Sequence, residues 1–449
     1  MTVKYALILL DFKGELADLF LRSIAHRLTR VPAAARQSFL ARLTVVRPFA
    51  GRFAAPLQIL ERIPGVPPLV HAHALTEIIE SAVNAPLGSN QNPATSFTLA
   101  GAIEAGFDLL RYRYALPNRD AWVAIAERTQ IPEVRAYLLT KFVREKPPVI
   151  DGIASRIDAL LRIEQLKASF AAEHMVDLRL AYSPGSITIF DYGEAPLGAV
   201  GQKRASSAVG VKNVTWAAFD PSRSREGFTF IVADEIQSVL SSSISEDVER
   251  LITTGRSYGV GFLAAHQGET QLPSDLRSDL STNIRLRILG RSCEKDAEAA
   301  AEWLPRTGFL PKRRPFGSAP PDRPEYLSEK EEERHWVRRI TDLPRRMFLV
   351  ADRGATFGPR FVETPTFDPP PWDAIDPEIA EAVLRGNVAR PREELLARAR
   401  EIEERAVAEL ISSAGPEKEH RRRRESPVPD LPDVVGRSST GRSARGEAL

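Results

Sequence analysis

Two adjacent carboxylates, Asp234 and Glu235, end the apolar run FTFIVADE and are the residues of this chain best placed for chemistry. A buried strand that carries an aspartate to its carboxyl edge can hold the magnesium of a bound nucleotide, directly or through water. The next residue, Glu235, is then positioned to polarise an attacking water. An acidic residue at a strand end also serves merely to cap a following helix, so the pair alone leaves both uses open. Downstream, GVGFLAAHQ is a second apolar run with a polar tip, His266 and Gln267. Arg256, in the turn before it, either points across a subunit boundary toward a neighbour's nucleotide or is a solvated loop arginine.

These residues need a sheet to hold them. The segment between the two runs places Val248, Leu251 and Ile252 at helical spacing, which predicts a βαβ unit with both strand tips on one edge of a parallel sheet. A third strand opens the chain in VKYALILLDFKGELADLF. Val3 to Leu10 is apolar almost throughout, as in a strand buried on both faces at the centre of a sheet. The run turns polar at Asp11 and passes through Lys13 and Gly14 into a helix whose first turn Glu15 and Asp18 favour.

DFKGELADL, ITIFDYGEAPLG at 187–198, FIVADE at 230–235, GRSYGVGFLAAHQ at 255–267 and STNIRLRILG at 281–290 occur in an order that resembles the hexameric DNA-pumping ATPases. These include the type IV secretion coupling proteins of conjugative transfer and the HerA and FtsK translocases, and the resemblance covers most of residues 1–365. It implies an α/β fold with a mostly parallel RecA-like P-loop NTPase sheet, an inserted all-helical domain, and a homo-hexamer that couples ATP hydrolysis to DNA movement. It also implies ATP and Mg2+ as cofactors, with Asp234 on the metal, Glu235 as catalytic glutamate, Gln267 as γ-phosphate sensor and Arg256 acting in trans. Secretion or conjugation machinery would supply further partners.

The chain departs from that pattern at one point: G-x-x-x-x-G-K-[ST] occurs nowhere in it. Without such a loop there are no backbone amides to cradle phosphates and no lysine to reach the β- and γ-oxygens, so poor nucleotide affinity is expected. GAVGQKRAS at 198–206 has the wrong spacing and reads as the loop after the 187–190 strand. Two explanations stand, a recorded chain that starts too late and has lost its first βα unit, or a degenerate relative. The first is favoured by the remaining site residues. The second makes the protein a non-hydrolysing DNA-binding or ring-assembly module.

Composition agrees with a globular protein of two or three domains: 449 residues, of which 43% are hydrophobic. A formal charge of +2 does not announce a nucleic-acid binder, so any DNA contact rests on local clusters such as Arg277, Arg285, Arg287 and Arg291. These either line a channel and grip phosphates or form a solvated basic face. The single cysteine, Cys293, excludes an internal disulfide and suits a reducing cytoplasm. His71 and His73 read as surface or helix-cap residues. No apolar run approaches the roughly 20 residues that span a bilayer, and the short charged-flanked strand at the start is not expected to act as a signal peptide.

Composition shifts divide the chain into a first part of the core (1–25), a mostly helical insertion (26–183) and the main core with its two motif strands (184–365). Within the insertion, Ile157, Leu160, Leu161 and Ile163 give one helix a buried stripe, while 42–60 reads as a short strand with proline-rich turns. The run from Met347 to Val350 reads as a closing strand at the end of the sheet. Residues 366–414 are expected to be a proline-rich linker and a charged helix, and 415–449 a disordered basic tail containing Arg421 to Arg424.

Overall fold

A computed structural model of the chain describes residues 5–413 apart from 84–87, 89–90, 171, 173, 194, 224, 241, 305–309, 313–324 and 353–357. The tail expected at 415–449 lies outside these residues. Ten strands are numbered in chain order: β1 (Tyr5–Asp11), β2 (Leu43–Val46), β3 (Phe53–Ala54), β4 (Ile187–Asp191), β5 (Phe228–Asp234), β6 (Val260–Ala264), β7 (Leu286–Leu289), β8 (Met347–Asp352), β9 (Arg360–Glu363) and β10 (Arg390–Pro391). Five of them form a parallel sheet in the order β2-β4-β1-β5-β6. The mostly parallel α/β sheet expected from the sequence is therefore present, with the first strand at its centre and the short strand of 42–60 at one edge.

Register explains the apolar runs. Ile8 and Leu10 of β1 lie on one face with Ile231 and Ala233 of β5, and all four are buried under the helical layer. Leu9 lies on the opposite face with Ile189 and Val45, beneath the helices Glu15–Leu28 and Pro377–Arg385. A parallel strand covered on both sides needs apolar residues at every position, and Leu7–Leu10 supplies them. Cover is incomplete on this second face over β5 and β6, where Phe230 is 45% and Leu263 47% exposed.

Between Pro68 and Phe170 the chain is predominantly helical, and these helices, with Val200–Phe219 and Ser242–Thr254, cover the first face. Leu57, Ile59 and Leu60 join that same core from the segment after β2.

The structure departs from four expectations. Residues 200–206 form the first turns of the helix Val200–Phe219 rather than a loop. β8 does not close the main sheet. It is the middle strand of a separate antiparallel sheet, β7-β8-β9, in which Leu349 and Ala351 alone are fully buried, against the helices Glu294–Trp303 and Glu329–Thr341. A run such as MFLVAD cannot distinguish a doubly covered strand from one with a single buried face. The segment after 366 is no free linker: Trp372 Nε1 donates to Asp18 at 2.8 Å, Ile379 and Val383 pack on the sheet, and β10 pairs with β3. The charged helix Arg392–Ser413 lies against the helices Leu109–Ala115 and Glu164–Phe170, with Lys167 paired to Glu403 at 2.5 Å. Lastly, His71 is buried, with its ring edge-on to Trp216 at 5.2 Å, because the helix Pro68–Val83 is sandwiched between others and hides most of its circumference.

Candidate active site at the carboxyl edge of the sheet

Three of the parallel strands end in aspartate, and register sets those aspartates side by side: Asp191 against Asp11, and Asp11 against Asp234. The chain leaves these tips in different directions. From β1 it runs through the helix Glu15–Leu28 on one face toward β2, whereas from β5 it runs through the helix Ser242–Thr254 on the other face toward β6. Connections that diverge in this way open a crevice between adjacent tips, the usual ligand site of an open α/β sheet. Asp11 and Asp234 flank that crevice.

The aspartates have unequal work. Asp11 is fully buried and its carboxylate is saturated by backbone amides: Oδ1 accepts from Lys13 at 2.9 Å and Gly14 at 2.7 Å, and Oδ2 from Ala17 at 2.7 Å. Asp191 accepts from the Gly193 amide at 3.0 Å and from Arg47 Nε at 2.9 Å. Both shape loops. Asp234 keeps its side chain half-buried, and its pKa is raised, first by burial and then by the negative charges of Asp11 and Glu235. A carboxylate held in that state gains from a cation.

Magnesium characteristically takes one or two carboxylates and fills its remaining positions with water and phosphate oxygens. Among the described residues no group of three or more acidic, histidine or cysteine side chains surrounds a common point. Asp234 therefore fits a magnesium held largely by its ligand and by water, and does not fit an all-protein cage.

Glu235 is one of two non-glycine residues with positive φ among the described residues, at φ 57° and ψ 40°. Left-handed backbone is unfavourable for a side-chain-bearing residue and persists where surrounding structure enforces it. Here the enforcement is visible: Ile236 N donates to Ala265 O at 3.2 Å, and Ala265 N to Ala233 O at 2.8 Å, locking the tips of β5 and β6 together. The turned-out carboxylate accepts from Gln267 Nε2 at 2.7 Å and from Gln237 Nε2 at 2.7 Å. Asp234, Glu235 and Gln267 are thus brought together.

The arginines are not. Arg256 lies in the short helix Gly255–Tyr258 before β6, at the opposite edge of the sheet from Asp234, about 15–20 Å away along strands of this length. Arg277 is exposed on the helix Ser274–Asn283, and Arg285 pairs with Asp352 at 2.8 Å. Arg287 is largely buried, 3.2 Å from Glu269 and stacked 4.5 Å over the ring of Trp303, so its guanidinium is engaged inside the fold.

Asp191 and Arg47 were not singled out from the sequence. One signal was available for Asp191: ITIFDYG repeats the pattern of LILLDFKG, an apolar run, an aspartate, an aromatic residue and a nearby glycine.

No family model and no curated protein matches the chain. Among solved structures it is similar to the bacterial conjugative coupling protein TrwB (TrwBdeltaN70), at 14% identity over 81% of this chain and 86% of that one, with a TM-score of 0.44. TrwB in complex with ADP and Mg2+ gives 12% identity, 82% and 85% coverage and a TM-score of 0.43. VirB4 of Thermoanaerobacter pseudethanolicus gives 13%, 81% and 82%, and 0.48. A conjugative coupling protein is the kind that the sequence motifs resemble.

Proposed function

We propose that this chain is the core of an ATP-hydrolysing motor of the type IV secretion coupling kind, which moves DNA as a homo-hexamer in the cytoplasm. The observation that carries the nucleotide part of this reading is the bond from Gln267 to a Glu235 held in left-handed backbone, beside Asp234 at the diverging crevice. Asp234 would hold the magnesium, whose charge offsets that of the phosphates. Glu235 would accept a proton from the attacking water. Gln267, on the neighbouring strand, would orient Glu235 and change partners when a phosphate arrives. Arg256, remote from its own chain's crevice, would serve a neighbour's site in a ring. Arg277 and Arg285, whose side chains are exposed, would be better DNA contacts than Arg287, whose guanidinium is held inside the fold.

The direct test is Mg2+-dependent ATP hydrolysis by the purified chain, with and without DNA, beside Glu235→Gln. Turnover should vanish in the variant while nucleotide binding survives. Equal turnover in both would remove Glu235 from its role. The missing G-x-x-x-x-G-K-[ST] supports a second reading, a DNA-binding or ring-assembly module that does not hydrolyse nucleotide. Retained DNA binding with no nucleotide binding in any form of the chain would favour it.

A further inference from the structure

We infer that Lys13 is a phosphate-contacting residue of this crevice, held at rest by Glu15 and released to the ligand; the inference rests on the nucleotide reading above. In the structure Lys13 Nζ lies 3.1 Å from Glu15 Oε1, with the two side chains 50% and 72% exposed. The backbone beneath is fixed. The amides of Lys13 and Gly14 both donate to Asp11 Oδ1, and Gly14, at φ 95°, is wedged against Gly193. A rigid base with an exposed side chain lets the ammonium exchange partners without moving the loop.

The charges around the crevice favour such a cation beside the magnesium. Asp11 is hydrogen-bonded by three amides and Asp191 is paired with Arg47 and an amide, but Asp11 keeps its charge, and with Asp234 and Glu235 it makes the crevice negative toward an incoming polyphosphate. These carboxylates repel it unless positive charge stands between them. Lys13 follows by two residues the tip of β1, Asp11, which lies in register beside Asp234. Its pKa is raised, chiefly by the bond and charge of Glu15, with Glu235 and Asp234 adding to the effect, so it stands within the field of both acids. Lys203, the other lysine near these loops, does not compete for the role. Its Nζ points at the Gly193 carbonyl at 3.5 Å, and burial lowers its pKa, so its place is beneath the loops.

The surface ion pair with Glu15 contributes little to stability and is readily exchanged for a polyvalent phosphate. The experiment is calorimetric titration of the full chain with Mg2+-ATP and with adenosine, in the parent, Lys13→Met, Lys13→Arg and Glu15→Gln. Lys13→Met should weaken Mg2+-ATP about tenfold or more and leave adenosine unchanged, Lys13→Arg should restore most of the loss, and Glu15→Gln should tighten Mg2+-ATP about twofold. If the parent binds Mg2+-ATP and Lys13→Met binds it equally, the inference fails while the nucleotide reading stands. If the parent binds no nucleotide, both fall.

Discussion

Gly14 and Gly193 pass backbone to backbone where the loops leaving β1 and β4 cross above the sheet. A Cβ on Gly14 would lie 2.6 Å from Gly193 Cα, and one on Gly193 would lie 2.5 Å from both Gly14 Cα and the Lys13 carbonyl. The crossing follows from topology. β1 sends its chain toward β2 over one face, while β4, between them, sends its chain toward β5 over the other. Two backbones can cross this tightly only where neither carries a side chain. Gly14→Ala meets both the close approach and a φ of 95°, and should cost about 2–4 kcal/mol, read as a lower urea midpoint at unchanged slope. A variant as stable as the parent would show that the loops do not cross as described.

The strain at Glu235 gives a second expectation, opposite in sign for stability and activity. Glycine adopts φ 57° without penalty, so Glu235→Gly should raise stability by about 1 kcal/mol while removing the carboxylate that Gln267 and Gln237 address. Denaturant melts and nucleotide turnover on the same sample check both halves. A loss of stability would mean that the two amide bonds outweigh the backbone strain.

Much of this arrangement was legible because parallel strands announce themselves. Leu7–Leu10 and Phe230–Ala233 are continuous apolar runs ending in acid, and both lie side by side in the sheet with Asp11 against Asp234. Gln267 was legible for the same reason, at the end of the next run. The closing elements were not. TFDPPPWD and the residues after it have the composition of a linker, yet Trp372 finds Asp18 and Ile379 finds the β1–β4 face, contacts between distant parts of the chain that no local pattern encodes. The same holds for Arg47, which nothing in its local sequence marks and which pairs in the fold with the buried Asp191.

His71 should make the fold acid-sensitive. Burial pushes its pKa down to about 4, and a backbone hydrogen bond at Ile59 only partly opposes that. The folded protein therefore keeps the ring neutral while the unfolded chain protonates it near pH 6.5. Stability from this residue is full above pH 6.5 and is lost as pH falls toward 4, on the order of 3 kcal/mol across that window. In His71→Leu that portion of the decline should disappear from melts recorded between pH 7 and 4. An unchanged pH profile would place the acid sensitivity elsewhere.

Asp234 makes the opposite sign of prediction. Its pKa is raised by burial, by Asp11 and by Glu235, so in the absence of a cation the protonated form is the better-tolerated one in the fold. The stability it contributes is present below the ordinary carboxylate range and is lost as pH rises through its own higher pKa. Near neutral pH Asp234→Asn should therefore melt at a higher temperature than the parent in chelator, and added Mg2+ should raise the melting temperature of the parent alone. Protons and metal compete for the same oxygens, so Mg2+ stabilisation of the parent should fade, on acidification, at a higher pH than for an unperturbed aspartate. Glu235→Gln removes one of the charges responsible and should move that fading to lower pH. Mg2+ stabilisation that persists in Asp234→Asn, with the parent's pH dependence, would show that the metal binds elsewhere.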